Sequence, residues 1–174
     1  MWSNFHTHSS FCDGTSSLQE IADHALSQKM FSLGFSSHAP LPFERHWSMK
    51  REDLSNYINQ ICHLKKTNQK LEVYAGLEVD YIPEIISPHN FKSQLDYTIG
   101  SVHFVESFQD GERWEIDGTH QHFDDGYSKI FNKNIQEVIH RYFELMREMI
   151  THGSPTIIGH LDKIKIQNKY HPYF

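Results

Sequence analysis

Five short segments that read as strands, each ending at or next to a histidine or a glutamate, constrain the fold of this chain more than any other feature. They are residues 2–6, 35–38, 71–79, 97–102 and 156–159. Segments of this length are typical of buried strands, and longer segments with apolar residues at helical spacing lie between them. Alternation of strands and helices predicts a parallel sheet or barrel of the α/β class in one domain.

The polar residues that end these segments are His6, His38, Glu78, His103 and His160. In α/β barrels the carboxyl ends of the strands form the rim at which catalytic groups converge. We therefore expect these five side chains to lie close together, although they are far apart in the sequence. Histidine is the commonest metal ligand, so the pattern predicts metal binding at that rim.

The segment from His6 to Asp13 adds two further ligand candidates. His6 and His8 are two residues apart, so their rings are expected to face the same way on an N-terminal strand. The Asp13-Gly14 turn is expected to bring a carboxylate back beside them. Imidazole and carboxylate together suit zinc, manganese or iron. A His-x-His pair alone is also compatible with a polar strand end that binds nothing.

Composition excludes several classes of protein. The net charge is −6 with histidine neutral, which argues against a nucleic-acid backbone as the main partner. No apolar run approaches the roughly 18 residues of a membrane span. Cys12 and Cys62 form no CxxC pair and are predicted to be reduced thiols in a cytoplasmic protein. The sequence leaves the oligomeric state open.

Local signals place several helices. Ser17 and Glu20 form a predicted capping box at a helix start. Apolar stripes predict further helices over residues 50–68 and 132–151. Residues 106–126 show no clear period, so we predict a long functional loop there.

Six motifs follow one another along the chain. They are His6-Thr7-His8, Phe11-Cys12-Asp13-Gly14, Ser37-His38-Ala39-Pro40, Gly76-Leu77-Glu78-Val79-Asp80-Tyr81, Gly100-Ser101-Val102-His103 and Gly159-His160-Leu161-Asp162. Taken together, they resemble the PHP (polymerase and histidinol phosphatase) family, and within it the histidinol phosphatases. The resemblance implies a distorted (β/α)7 TIM-like barrel with up to three divalent ions, zinc, manganese or iron. It also implies hydrolysis of a small phosphate ester, L-histidinol phosphate, in histidine biosynthesis.

The resemblance also implies roles for individual residues. His6 and His8 would bind a first ion, and Glu78 would bridge it to a second ion. His103 and His160 would complete the second site, and Asp13 with His38 would bind a third ion. Glu78, Asp13 and His160 are the candidate catalytic residues. Candidate substrate-binding residues are the charged or polar loop groups Arg45, His46 and Arg113. Asp162 is a fourth, because it lies two residues after His160 and would share its face on a strand.

One family motif is missing. The family pattern closes with Asp-x-His on a last strand, and this sequence contains no such motif. We therefore expect residues 1–174 to be the N-terminal part of a longer PHP domain, an incomplete barrel that binds its first and third ions weakly. The alternatives are another metallophosphoesterase or nuclease of the PHP type, or an inactive metal-binding fragment.

Overall fold

The computed structural model describes residues 2–173 and contains two sheets. The strands are β1 (Ser3–Asn4), β2 (Ser32–Phe35), β3 (Glu72–Asp80), β4 (Tyr97–Ser101), β5 (Phe104–Ser107), β6 (Arg113–Glu115) and β7 (Ile157–Ile158). The main sheet has the order β1-β2-β3-β4-β7, and all of its pairings are parallel. Strands β5 and β6 form a separate antiparallel hairpin.

Helices connect and cover the strands. The α-helices are α1 (Leu18–Ser27), α2 (Leu54–Thr67), α3 (His120–Lys129) and α4 (Ile135–Glu148). Shorter 3₁₀ helices cover Arg51–Asp53, Pro88–Gln94 and Lys163–Lys169, and a π-helical turn at Met149–Gly153 extends α4. Across residues 2–173, every helix falls short of the length and apolar character that crossing a bilayer requires.

The predicted fold class is confirmed: the molecule is an α/β protein whose five parallel strands form a curled half-barrel. The helix start at Ser17 is confirmed too, because the Ser17 side chain accepts from the Glu20 amide and the Glu20 carboxylate accepts from the Ser17 amide. Two-way capping of this kind satisfies donors that the first helical turn would otherwise leave unpaired.

The prediction of a long loop over residues 106–126 is wrong. That region contains the turn of the β5–β6 hairpin, all of β6 and the first part of α3. The side chain of Trp114 is fully buried and packs against Phe123 and Phe131. Burial of one large aromatic side chain therefore gives this segment its structure without any periodic pattern in the sequence.

The core has two parts. The first lies between the sheet and helices α1 and α2, and the second lies between α4, α3 and the hairpin. Helix α4 buries a continuous stripe, formed by Val138, Tyr142, Leu145 and Met146.

Tyr97 in β4 contacts residues in β2, in β3 and directly after β1. Its side chain lies directly against Gly34 in β2 and Gly76 in β3, and a Cβ atom at either position would overlap it. Its hydroxyl lies 2.9 Å from the Phe5 carbonyl oxygen and 3.0 Å from that of Phe35. The two glycines are therefore required by the close approach of an aromatic ring from β4.

We expect Gly76→Ala to lower the free energy of unfolding by about 1–3 kcal/mol, because the added methyl group overpacks the ring of Tyr97. Urea unfolding followed by circular dichroism measures the change. The same substitution made in a Tyr97→Ala background should cost much less, since the clashing ring is gone. Equal costs in both backgrounds would contradict this explanation.

Candidate metal centre

The structure brings the seven predicted ligands into one cleft at the carboxyl ends of the strands. His6, His8 and Asp13 follow β1, His38 follows β2, Glu78 lies in β3, His103 follows β4 and His160 follows β7. The cleft has a volume of about 420 Å³, and all seven residues line it. Convergence of strand ends at one rim explains this, as in other α/β folds.

Glu78 is the centre of the cluster, with 1% of its surface exposed. Its Oε2 atom lies 3.0 Å from His6 Nε2 and 2.9 Å from His8 Nε2. Its Oε1 atom lies 2.8 Å from His160 Nε2 and accepts a 2.6 Å hydrogen bond from the Ser101 hydroxyl. Burial opposes ionisation, but hydrogen bonds from the three histidines hold the pKa of Glu78 far below its usual range.

The Oε1 side of Glu78 has the dimensions of a metal site. The Nε2 atoms of His103 and His160 are 3.2 Å apart, and His103 Nε2 lies 3.9 Å from Glu78 Oε1. Ligands of a tetrahedral ion at about 2.0–2.1 Å lie roughly 3.3 Å from one another. Two imidazole nitrogens and a carboxylate oxygen at these separations fit one divalent ion.

Asp80 fixes the ring of His103. Its Oδ1 atom is 2.7 Å from His103 Nδ1, and both side chains are buried. An ionised carboxylate only accepts, so Nδ1 carries a hydrogen and Nε2 faces the cleft. Burial lowers the pKa of His103, but Asp80 outweighs that effect and raises it to about 9 in the metal-free protein. A metal that binds Nε2 must therefore displace a proton.

A third group of candidate ligands, His8, Asp13 and His38, shares His8 with the group formed by His6, His8 and Glu78. His8 Nδ1 lies 2.8 Å from Asp13 Oδ1, and His38 Nε2 lies 3.9 Å from Asp13 Oδ2. Burial opposes protonation of His8, yet hydrogen bonds to Cys12, Glu78 and Asp13 raise its pKa to about 10. Burial lowers the pKa of His38 to about 4, so His38 is neutral and one of its ring nitrogens has a lone pair for a metal ion.

These groups share members, and together they are compatible with a site for several metal ions. The groups of close ligand atoms are His6–His8–Glu78, His8–Asp13–His38, Glu78–His103–His160 and His38–Asp80–His103. Buried nitrogens without a hydrogen-bond partner, His38 Nδ1 and His160 Nδ1, occur within the same cluster. Imidazole and carboxylate ligands accept zinc, manganese and iron alike, so the ligand set does not select one metal.

His46 is the one candidate substrate-binding residue that lines the cleft, where it lies beside Trp47. Arg45 faces a separate cavity of about 740 Å³ formed by residues 41–52. The Arg45 guanidinium donates to Glu115 Oε1 at 2.6 Å, which holds the 41–52 loop against the β5–β6 hairpin.

Arg113 and Asp162 lie outside the residues that line the cleft. The guanidinium of Arg113 stacks 5.6 Å above the ring of Phe43. The largely exposed carboxylate of Asp162 lies 3.7 Å from Lys165 Nζ. Substrate binding by Arg45, Arg113 and Asp162 stays a prediction.

The structure adds three residues that are not among the predicted site residues. Asp80 orients His103, and strand alternation could have found it, because it lies two residues after Glu78. Asp117 and Lys163 form a 3.0 Å ion pair in the wall of the cleft, with Asp117 Oδ2 4.0 Å from His103 Nε2. Both come from short segments whose sequences give no periodic signal.

Two curated proteins are similar to this chain. One, from Schizosaccharomyces pombe, is named "Probable histidinol-phosphatase" and is 29% identical over 177 residues, 91% of this chain and 55% of that protein. The other, "Histidinol-phosphatase" from Bacillus subtilis, is 29% identical over 187 residues, 97% of this chain and 68% of that protein. The chain therefore spans little more than half the length of the yeast relative.

Structure and family comparisons agree with these relatives. A crystal structure described as that of a candidate histidinol phosphatase from Listeria monocytogenes has a TM-score of 0.76 and 22% identity, and the match covers 94% of this chain and 68% of that one. This likeness shows the fold. The family model described as "PHP domain" matches residues 4–173. The chain therefore belongs to the PHP domain family.

Proposed function

We propose that this protein is a metal-dependent phosphomonoesterase that hydrolyses L-histidinol phosphate to L-histidinol and phosphate, a step in histidine biosynthesis. The observation that carries the proposal is the buried carboxylate of Glu78, which presents one oxygen to His6 and His8 and the other to His160. The names of both curated relatives support the choice of substrate. The two free cysteines agree with a cytoplasmic location, which is part of the proposal.

Each oxygen of Glu78 would serve one ion. His6 and His8 would join Oε2, and His103 and His160 would join Oε1. Asp13 and His38 would hold a third ion next to His8. Bound divalent ions supply Lewis acidity towards phosphoryl oxygens and activate water at neutral pH.

The chain's own side chains hold the ligands in position. The Ser101 hydroxyl fixes one oxygen of Glu78, and Asp80 fixes the ring of His103. Trp47 packs beside His38 and stacks on Phe104, which gives the cleft an apolar wall. Ligands locked by hydrogen bonds and packing lose little freedom on binding metal, and their orientation is set in advance.

Phosphate release from three substrates tests the proposal. After chelation, the protein is reloaded with zinc, manganese or ferrous iron and supplied with L-histidinol phosphate, an aryl phosphate or single-stranded DNA. We expect kcat/KM about a hundredfold higher for histidinol phosphate than for the aryl phosphate, and no turnover by the chelated protein. Nucleotide release from DNA would favour a nuclease, and metal binding without any turnover would favour a metal-binding chain.

Glu78→Gln should abolish the bridge between the two sites, because an amide has one neutral oxygen in place of two charged ones. We expect metal content to fall by at least one ion per chain and turnover to fall more than about a hundredfold. Glu72→Gln is the matched control, since Glu72 begins the same strand and is exposed. Full metal content in Glu78→Gln would refute the assignment.

Asp80→Asn should weaken metal binding at the site of His103 by about 10- to 100-fold, because the charge that orients the imidazole is lost. Competition with a metal-binding chelator measures the affinity separately from activity. Thermal unfolding of the metal-free protein provides the control for folding. Unchanged affinity in a folded variant would show that Asp80 serves packing alone.

A further inference from the structure

We propose that Lys163 forms a phosphate-binding subsite in the wall of the cleft and contacts the phosphoryl group of a phosphate monoester. The inference deepens the proposed function and rests on it for the identity of the ester. Among the described residues that line the cleft, Lys163 is the one lysine or arginine. The same cleft wall includes Asp117, and the cluster of seven ligand candidates lies beside it.

The ammonium group of Lys163 is held at the cleft surface. Its Nζ atom lies 3.0 Å from Asp117 Oδ2, and both side chains are about one-fifth exposed, at 23% and 21%. Asp117 Oδ2 in turn lies 4.0 Å from His103 Nε2. A single carboxylate therefore connects Lys163 to the metal-ligating cluster.

The position of Lys163 is set by buried contacts of the residues that follow it. Lys163 begins the 3₁₀ helix Lys163–Lys169, in which Ile164 and Gln167 are buried. The Gln167 amide donates to the carbonyl oxygens of Ile116 and Gly118, at 3.1 Å each. These bonds clamp the helix to the segment that carries Asp117.

The ion pair of Lys163 and Asp117 can bind an anion without dissociating. An ammonium group has three donors and Asp117 occupies one of them, so Lys163 can still donate to a phosphoryl oxygen. The other carboxylate in this wall, Glu115, is already neutralised by Arg45. Lys163 is thus the cationic side chain that a phosphate dianion meets as it approaches the metal ligands, and hydrogen bonds between charged groups are the strong ones.

Binding of inorganic phosphate to the metal-loaded protein tests the subsite directly. We expect Lys163→Gln to weaken phosphate binding, measured by calorimetry, by about 10- to 100-fold. The KM for histidinol phosphate should rise by a similar factor, with kcat changed less. Lys165→Gln is the matched control, because Lys165 lies on the same helix and its side chain is 59% exposed. Phosphate affinity equal to that of the wild type would overturn the inference.

A double variant separates contact with phosphate from the loss of a partner for Asp117. Lys163→Gln together with Asp117→Asn removes both charges, and metal content is measured in each variant. If Lys163 touches phosphate, binding stays weak in the double variant. Recovery of wild-type affinity would show that the freed carboxylate, rather than the missing ammonium, repelled the anion, and would overturn the inference.

Chemical labelling of the wild-type protein covers the case in which the variants do not fold. Reductive methylation followed by peptide mass spectrometry reports the accessibility of each amine. We expect saturating phosphate to slow labelling of Lys163 several-fold and to leave Lys165 unchanged. Equal labelling with and without phosphate would refute the subsite. Protection of Lys163 in a protein that does not hydrolyse histidinol phosphate would keep the subsite and reject the proposed function.

Discussion

The burial of one carboxylate in the middle of the sheet controls the rest of this structure. Removing a charged carboxylate from water costs several kcal/mol unless partners compensate it. Glu78 obtains its partners from both sides of β3, with His6 and His8 on the β1 side and His160 on the β7 side. Because those partners come from the two edges of the sheet, they can reach one carboxylate only if the sheet is curved. The shape of the sheet and the compensation of the buried charge therefore depend on each other.

The same contacts are compatible with metal binding. In the metal-free state, protons on His8 and His103 balance the carboxylates, and neighbouring carboxylates and hydrogen bonds raise the pKa of both histidines above neutrality. Ions bound to the cluster would supply positive charge in place of these protons and would release them. Positive charge would therefore stabilise this dense group of carboxylates with or without metal.

Much of this arrangement is readable from the sequence, because the end of a strand is a local feature. His38, His103 and His160 each come at the end of a short segment that reads as a strand, and parallel topology alone brings such ends to one rim. Residues whose positions depend on distant contacts could not be found this way. Arg45 forms an ion pair with Glu115, 70 residues away, and no pattern in either segment predicts this contact. The β5–β6 hairpin likewise depends on the burial of Trp114 against α3.

The charge of the whole chain and the charge of the cleft have different consequences. A net charge of −6 repels a polyanionic backbone, which would have to contact a broad surface. The proposed substrate, a small phosphate ester, would meet only the cleft, where Arg45 neutralises Glu115 and Lys163 neutralises Asp117. Bound cations would offset the remaining acids, Asp13 and Glu78. The proposed binding of a small anion is therefore compatible with an acidic chain, because it depends on paired charges within a few ångströms rather than on the net charge acting from a distance.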